Sequence, residues 1–323
     1  MSTVPVSVVI PTYNCGHFLT QAVDSVFAQT VAPGEIIVVD DGSTDDTRER
    51  LMTYRKRVRY LYHSNQGPSR TRNRGIQEAK NEVIAFLDSD DVWHPRKLEL
   101  QMAAWNQHPR LGMLGTLSFD WPTSALPRIG DGSPAAVVAV SWSKLVVKNY
   151  FITSSVLVRR GLWELTGGFD EELRGPEDRD LWLRIAEQSP VGNLLLALTG
   201  YRRLAGSLSW QADSVHASGL RILQKLGSRG AWQGQWLLRR KAYSYLNYEN
   251  AMVFGAAGRQ WKALVTLLES LAWYPLPYDR SEVRKILARP KSLGVYMLRL
   301  LGLKAEEQFA VPRAPQTASI RPQ

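Results

Sequence analysis

Asp88, Asp90 and Asp91, with Ser89 between them, put three carboxylates into four consecutive positions just after the apolar run Val83-Ile-Ala-Phe-Leu. Carboxylates held that close disfavour one another's ionisation, so a fold tolerates them mainly where a cation or a hydroxyl-rich ligand offsets the repulsion. One reading makes this cluster the centre of a metal and phosphate site. The other makes it a turn, because Asp and Ser also cap helices and the nearby Pro95 suits a first helical turn. A second pair of acids, Glu177 and Asp178, opens the stretch Glu177-Asp-Arg-Asp-Leu-Trp-Leu-Arg-Ile. Acids at a helix start are favoured by its unpaired N–H groups. The functional reading is a general base, a carboxylate that takes a proton from a hydroxyl as that oxygen attacks.

Positioning such groups requires strands and helices in a particular order. Val6 to Ile10 is a compact β-branched run that ends in Pro-Thr-Tyr-Asn, and Phe18, Ala22, Val26 and Phe27 then recur at helical spacing. Glu35 to Asp46 repeats the design: a buried strand, the acids Asp40 and Asp41, a Gly turn, and Ser43 and Thr44 as caps for a helix over 45–56. A strand at 58–62 and a helix over 68–80 lead into the Val83 strand. Alternation of this kind predicts a doubly wound, parallel α/β sheet, with ligands bound beyond the carboxyl ends of its strands. Further along, the pattern predicts a helix over 95–107, a strand from Leu111 to Phe119, a loop over 120–135 and a strand from Ser154 to Val158. A helix ending near Gly167-Gly168 and a strand from Asn193 to Tyr201 complete the body. No G-x-G-x-x-G follows the first strand and no P-loop motif occurs, so acids rather than glycines must manage phosphate. A divalent ion between carboxylate and diphosphate meets that need, typically Mg²⁺ or Mn²⁺.

Bulk properties narrow the setting. With 323 residues and 44% hydrophobic content, the chain can build a sizeable core plus a smaller unit. A lone cysteine, Cys15, excludes an internal disulfide and suits a reducing compartment. No leader pattern or run of roughly 20 apolar residues is evident, so the expectation is a cytoplasmic protein or one peripheral to the inner face of a membrane. The net charge of +10 is uneven: residues 1–210 hold 23 basic and 23 acidic side chains, residues 211–323 hold 17 and 7. A basic last third suits anionic surfaces, or is simply a set of well-solvated helices.

Val6-Ser-Val-Val-Ile-Pro-Thr-Tyr-Asn, Val38-Val-Asp-Asp-Gly-Ser-Thr-Asp, Arg72-Asn-Arg-Gly, Phe86-Leu-Asp-Ser-Asp-Asp, Gly167-Gly-Phe-Asp and Glu177-Asp-Arg-Asp-Leu-Trp-Leu-Arg, in this order, resemble family 2 glycosyltransferases with the GT-A fold. The resemblance spans roughly residues 4–210 and implies a doubly wound mixed sheet, here followed by a C-terminal helical extension. It implies inverting transfer of a sugar from a nucleotide-sugar, with UDP- and dTDP-sugars favoured, to an acceptor hydroxyl in cell-surface polysaccharide or glycolipid synthesis. By the family pattern Pro11 and Tyr13 line the base pocket, and Asp41 hydrogen-bonds the base. Asp90 and Asp91 bind the ribose and the metal-diphosphate, with Asp88 completing the Asp-x-Asp signature. Asp178 matches the catalytic base, and Arg72 and Asn73 steady the nucleotide. One departure stands out: Leu204 occupies the place where many relatives carry a His that assists metal or diphosphate binding. His216 is the nearest replacement in sequence, against the commoner role of a packing histidine.

The domain expectation is a catalytic body over 1–210, a helical region over 211–304 and a disordered tail over 305–323. In the helical region Trp232, Trp236, Tyr243, Trp261 and Trp273 alternate with basic residues. Such rings either pack on the body or meet a membrane interface that presents a lipid-linked acceptor. Two other function classes are weaker. A sugar nucleotidyltransferase needs a Gly-rich basic loop after the first strand, which Pro11-Thr-Tyr-Asn does not supply. A basic nucleic-acid-binding protein does not explain a charge-balanced body with acidic strand ends, so nucleic acid is not expected as a partner.

Overall fold

The computed structural model describes residues 2–130, 136–204, 211–278 and 288–301. Its first half is a run of parallel strands and helices: β1 (Thr3–Thr12), α1 (Gly16–Phe27), β2 (Ala32–Asp40), α2 (Thr47–Leu51), β3 (Arg59–Tyr62), α3 (Pro68–Gln77) and β4 (Val83–Phe86). Helices cover both faces of these strands, which is why β1 and β4 read as largely apolar runs rather than alternating ones. Register fixes where their ends fall. Pro11 pairs with Val39 and Thr12 with Asp40, while Val9 pairs with Phe86. The chain therefore leaves β1, β2 and β4 at one edge, carrying Tyr13, Asp41 and Asp88 there.

The second half is β5 (Val92–Trp93), α4 (Lys97–Gln107), β6 (Met113–Trp121), β7 (Val137–Ala139), α5 (Trp142–Val147), β8 (Leu157–Arg159), α6 (Arg160–Thr166), α7 (Glu177–Gln188) and β9 (Val191–Arg202). The sheet order is β3-β2-β1-β4-β8-β6-β9-β5, with β7 also paired to β9. β8 runs antiparallel to both β4 and β6, so the sheet is mixed, as the family resemblance implies and as strand alternation alone did not show. The strand expected from Ser154 begins only at Leu157, because Thr153–Ser155 form a 3₁₀ turn. Ser154 Oγ and Ser155 Oγ are spent on Asp91 and on the Ile152 carbonyl, and hydroxyls that bond locally compete with a ladder. Of the loop expected over 120–135, Asp120 and Trp121 still belong to β6, and residues 131–135 lie outside the described residues.

Close packing of α3 on β1 depends on Gly75. A Cβ added there would run into Val9 Cγ1 and lie 3.2 Å from Val39 Cγ2. We expect Gly75→Val to lower unfolding stability by about 1–3 kcal/mol, read from the midpoint of urea denaturation.

Helices α8 (Ala212–Ser228), α9 (Trp236–Ala256), α10 (Gln260–Trp273) and α11 (Ala288–Leu300) fill the last third. Ile222, Leu223 and Leu226 of α8, with Ala242 and Leu246 of α9, share one core with Val9, Phe86 and Trp182 of the body. A boundary at 210/211 therefore separates strands from helices in sequence but does not divide the core. A smaller cluster around Phe254, Leu264, Leu267 and Tyr296 binds α10 and α11 to α9. Among the described residues no helix is long and apolar enough to cross a membrane. The expected tail over 305–323 lies outside the described residues.

Candidate active site

At the β1 and β2 ends, backbone hydrogen bonds build a fixed frame. Asn14, at φ 48°, accepts Thr44 N–H on its Oδ1 at 2.7 Å and donates its own N–H to Ser43 Oγ at 2.9 Å. Asp40 accepts from Ser43 N at 2.8 Å and from the Tyr60 hydroxyl at 2.7 Å. Asp41 is buried and accepts from Gln66 N at 2.7 Å and Gly67 N at 2.9 Å, with His63 Nδ1 at 3.3 Å. Its carboxylate thus shapes the 63–67 loop beside the strand ends. Pro11 is buried in β1, whereas Tyr13 is 50% exposed, an aromatic face on the rim of the frame.

The acids after β4 divide into two kinds. Asp91 is buried and committed to the protein, its Oδ2 accepting from Ser154 Oγ at 2.6 Å and its Oδ1 from Arg202 N at 2.9 Å. Expected as a metal ligand, it instead ties the 88–91 turn to the 3₁₀ turn and to β9. Arg202 donates its Nε to the Asp90 carbonyl at 2.8 Å and its Nη2 to Gln21 at 2.8 Å, fixing the same turn from the other side. Asp88 accepts from Arg72 at 2.7 Å, and Asp90 accepts no side-chain hydrogen bond from another described residue. Burial and the neighbouring Asp88 charge push the Asp90 carboxyl up to about 6. Burial, with Asp90 and Asp88 beside it, also raises Asp91 well above the ordinary range.

This donor set fits a divalent cation in one particular way. Among the described residues no three His, Cys, Asp or Glu side chains form a ready-made cage. Mg²⁺-type ions need none, since they are commonly held by one or two carboxylates plus substrate phosphates. Asp88 and Asp90, mutually repelling and incompletely compensated, are the residues that would hold it.

Across Arg72 lies the second group of acids. The Arg72 guanidinium, almost fully buried, donates to Asp88 and also to Glu177 Oε1 at 2.6 Å. Burial pushes Glu177 up to about 7 against the pull of Arg72. Asp178, in the first turn of α7, holds Thr153 Oγ1 at 3.3 Å and Asn149 Nδ2 at 3.5 Å on its Oδ2. Its pKa is raised, chiefly by burial, with Asp88 adding to the effect. Arg179 anchors this turn by donating to the carbonyls of Val146 and Val147 at the end of α5.

Asn73, expected beside the nucleotide, is otherwise engaged. It donates to the Phe169 carbonyl at 2.9 Å and accepts from Phe169 N at 2.8 Å and Trp163 Nε1 at 3.1 Å, so it holds the Gly-Gly-Phe-Asp turn. Thr153, Ser154 and Asn149 were not singled out from the sequence. Their only signal is polarity, Asn149 just before and Thr153 and Ser154 within the largely apolar stretch from Tyr150 to Val158. His216 donates its Nε2–H to Asn247 Oδ1 at 2.9 Å and packs edge-on to Phe254, which makes it a packing histidine of α8. Leu204 is the last described residue before 205–210.

The family model described as "Glycosyl transferase family 2" matches residues 7–120. An uncharacterized glycosyltransferase of Rickettsia felis is 30% identical over 223 residues, 67% of this chain but only 36% of that protein's length. The chain belongs to glycosyl transferase family 2. Among solved structures, S. aureus TarS 1–349 in complex with UDP-GlcNAc superposes with a TM-score of 0.62 at 19% identity, covering 94% of this chain and 92% of that one. Mannosyltransferase PcManGT of Pyrobaculum calidifontis, in complex with GDP-Man and Mn2+, gives 0.58 at 18% identity over 93% and 83%. At these identities the likeness speaks to fold alone. The mixed sheet of this family 2 chain is the GT-A architecture.

Proposed function

We propose that this family 2 protein is an inverting glycosyltransferase that moves a sugar from a nucleotide-sugar, UDP- or dTDP-linked by preference, to a hydroxyl of a glycan or lipid-linked acceptor. The observation that carries the reading is the single Arg72 side chain, which touches Asp88 on the donor side and Glu177, next to Asp178, on the other. One donor molecule can therefore meet both sets of acids. That TarS was solved with UDP-GlcNAc, and PcManGT with GDP-Man and Mn2+, supports the donor class and the ion.

In this reading Tyr13 stacks on the base, and the frame set by Asp41 and Asn14 holds the nucleotide's position. Mn²⁺ or Mg²⁺ on Asp88 and Asp90 would offset charge on the departing diphosphate. Asp178 accepts the proton of the acceptor hydroxyl as that oxygen bonds to the anomeric carbon and the diphosphate leaves from the opposite face. The reaction takes place in the cytoplasm, at the inner face of the membrane when the acceptor is lipid-linked.

A thermal-shift panel of UDP-, dTDP- and GDP-sugars with and without Mn²⁺ tests this, because a ligand selective for the folded state must raise Tm. We expect a donor-dependent rise that requires the ion and fades as pH falls through about 6, where protons compete for Asp90. No rise with any donor would overturn the proposal.

A further inference from the structure

Helix α10 is apolar on two sides. Its inner stripe, Ala263, Leu264 and Leu267, is buried against α9 and α11. A second stripe faces outward: Trp261 is 66% exposed, Val265 37% and Leu268 49%, and exposed Ala272 continues it at the same spacing. A surface helix ordinarily turns polar residues outward. The C-terminal turn of α11 lies at the same end as Trp261, because Tyr296 Oη donates to the Ala251 carbonyl at 3.2 Å and its ring lies against Gly255, just ahead of α10. That turn exposes Met297, Leu298 and Leu301. Around this apolar end stand Arg259, Lys262 and Arg299, with Asp213 as the acid that Arg259 and Lys262 share.

We propose that the outer face of α10 and the last turn of α11 seat the protein on an anionic lipid bilayer. Charge complementarity selects this occupant. Residues 211–323 carry 17 basic side chains against 7 acidic ones, and anionic headgroups neutralise them. A second copy on the same face would instead set these cations against their own equivalents. Tryptophan and leucine beside basic residues are what an interfacial helix uses to lie in the headgroup region. The surface deepens the proposed function by bringing a lipid-linked acceptor to the enzyme, yet its test needs no turnover.

The experiment is flotation of the full chain with phosphatidylcholine vesicles, with and without phosphatidylglycerol. The protein should float only with the anionic vesicles and be released by high salt. Trp261→Ala with Leu268→Ala should lower the vesicle-bound fraction roughly tenfold without changing Tm, since both side chains are exposed. Leu165→Ala, an exposed leucine of α6 in the catalytic body, should float as the wild type does. A wild type that stays unbound with both vesicle types, or a double variant that floats undiminished, overturns the proposal. A concentration-dependent dimer that the same two substitutions dissolve, with no flotation, assigns the face to a second copy.

Discussion

Asp178→Asn should lower kcat by about 10²–10⁴-fold while leaving donor affinity nearly intact, measured by steady-state transfer and by donor titration. The asymmetry follows from where the side chain sits. Its Oδ2 is held by Thr153 and Asn149 and its Oδ1 by the Arg179 N–H, an arrangement separate from the strand-end frame around Tyr13 and Asp41. The amide can keep the Thr153 contact but has no basic lone pair for an acceptor proton. The pH profile gives an independent check. Burial raises the Asp178 pKa above its ordinary 3.8, and the base works deprotonated, so the acid limb of kcat/KM should be centred above that value. Below it the rate falls, and in Asp178→Asn the part of that limb due to Asp178 should disappear, leaving the loss of donor and ion binding that Asp90 causes near about 6. Equal losses in donor binding and turnover would remove Asp178 from the base role.

Strand ends were the most legible part of this molecule. Val6 to Ile10, Ile36 to Val39 and Val83 to Phe86 are buried on both faces, so each reads as a short, largely apolar run, and the parallel register then places the acids after them on one edge. What the residue pattern did not reveal depends on contacts between distant segments. β5 is two residues long and β7 three, too short for any periodicity, and both exist because β9 offers them a partner. Asp91 looks identical to Asp88 and Asp90 in sequence. Only Ser154, 63 positions away, and the Arg202 N–H, 111 away, turn it into a structural acceptor. Asn73 changed role for the same reason, through Trp163 and Phe169. The shared core of α8 and α9 with the sheet was equally hidden, since an amphipathic helix does not say which surface its apolar face will meet.

The Arg72 bridge leads to the second large expectation, this time in stability. At pH above about 7, where the Glu177 carboxyl is ionised in the wild type, Arg72→Met should cost about 3–5 kcal/mol in urea denaturation, because it strands that buried carboxylate and removes the counter-charge of Asp88. Asp88 is partly exposed and water relieves it in part, so Glu177 carries most of the loss. Its carboxyl already sits at about 7 with Arg72 present, and without that cation it must rise further. A folded pKa raised above the ordinary 4.5 means stability that is fully present below 4.5 and lost as pH climbs through the folded value. The gap between variant and wild type should therefore narrow in acid. Adding Glu177→Gln to Arg72→Met removes the stranded charge, so the pair should lose less than the sum of the single losses. Additive losses, or a single-variant cost that does not change with pH, would show that Arg72 fills space there without carrying charge compensation between the two acids.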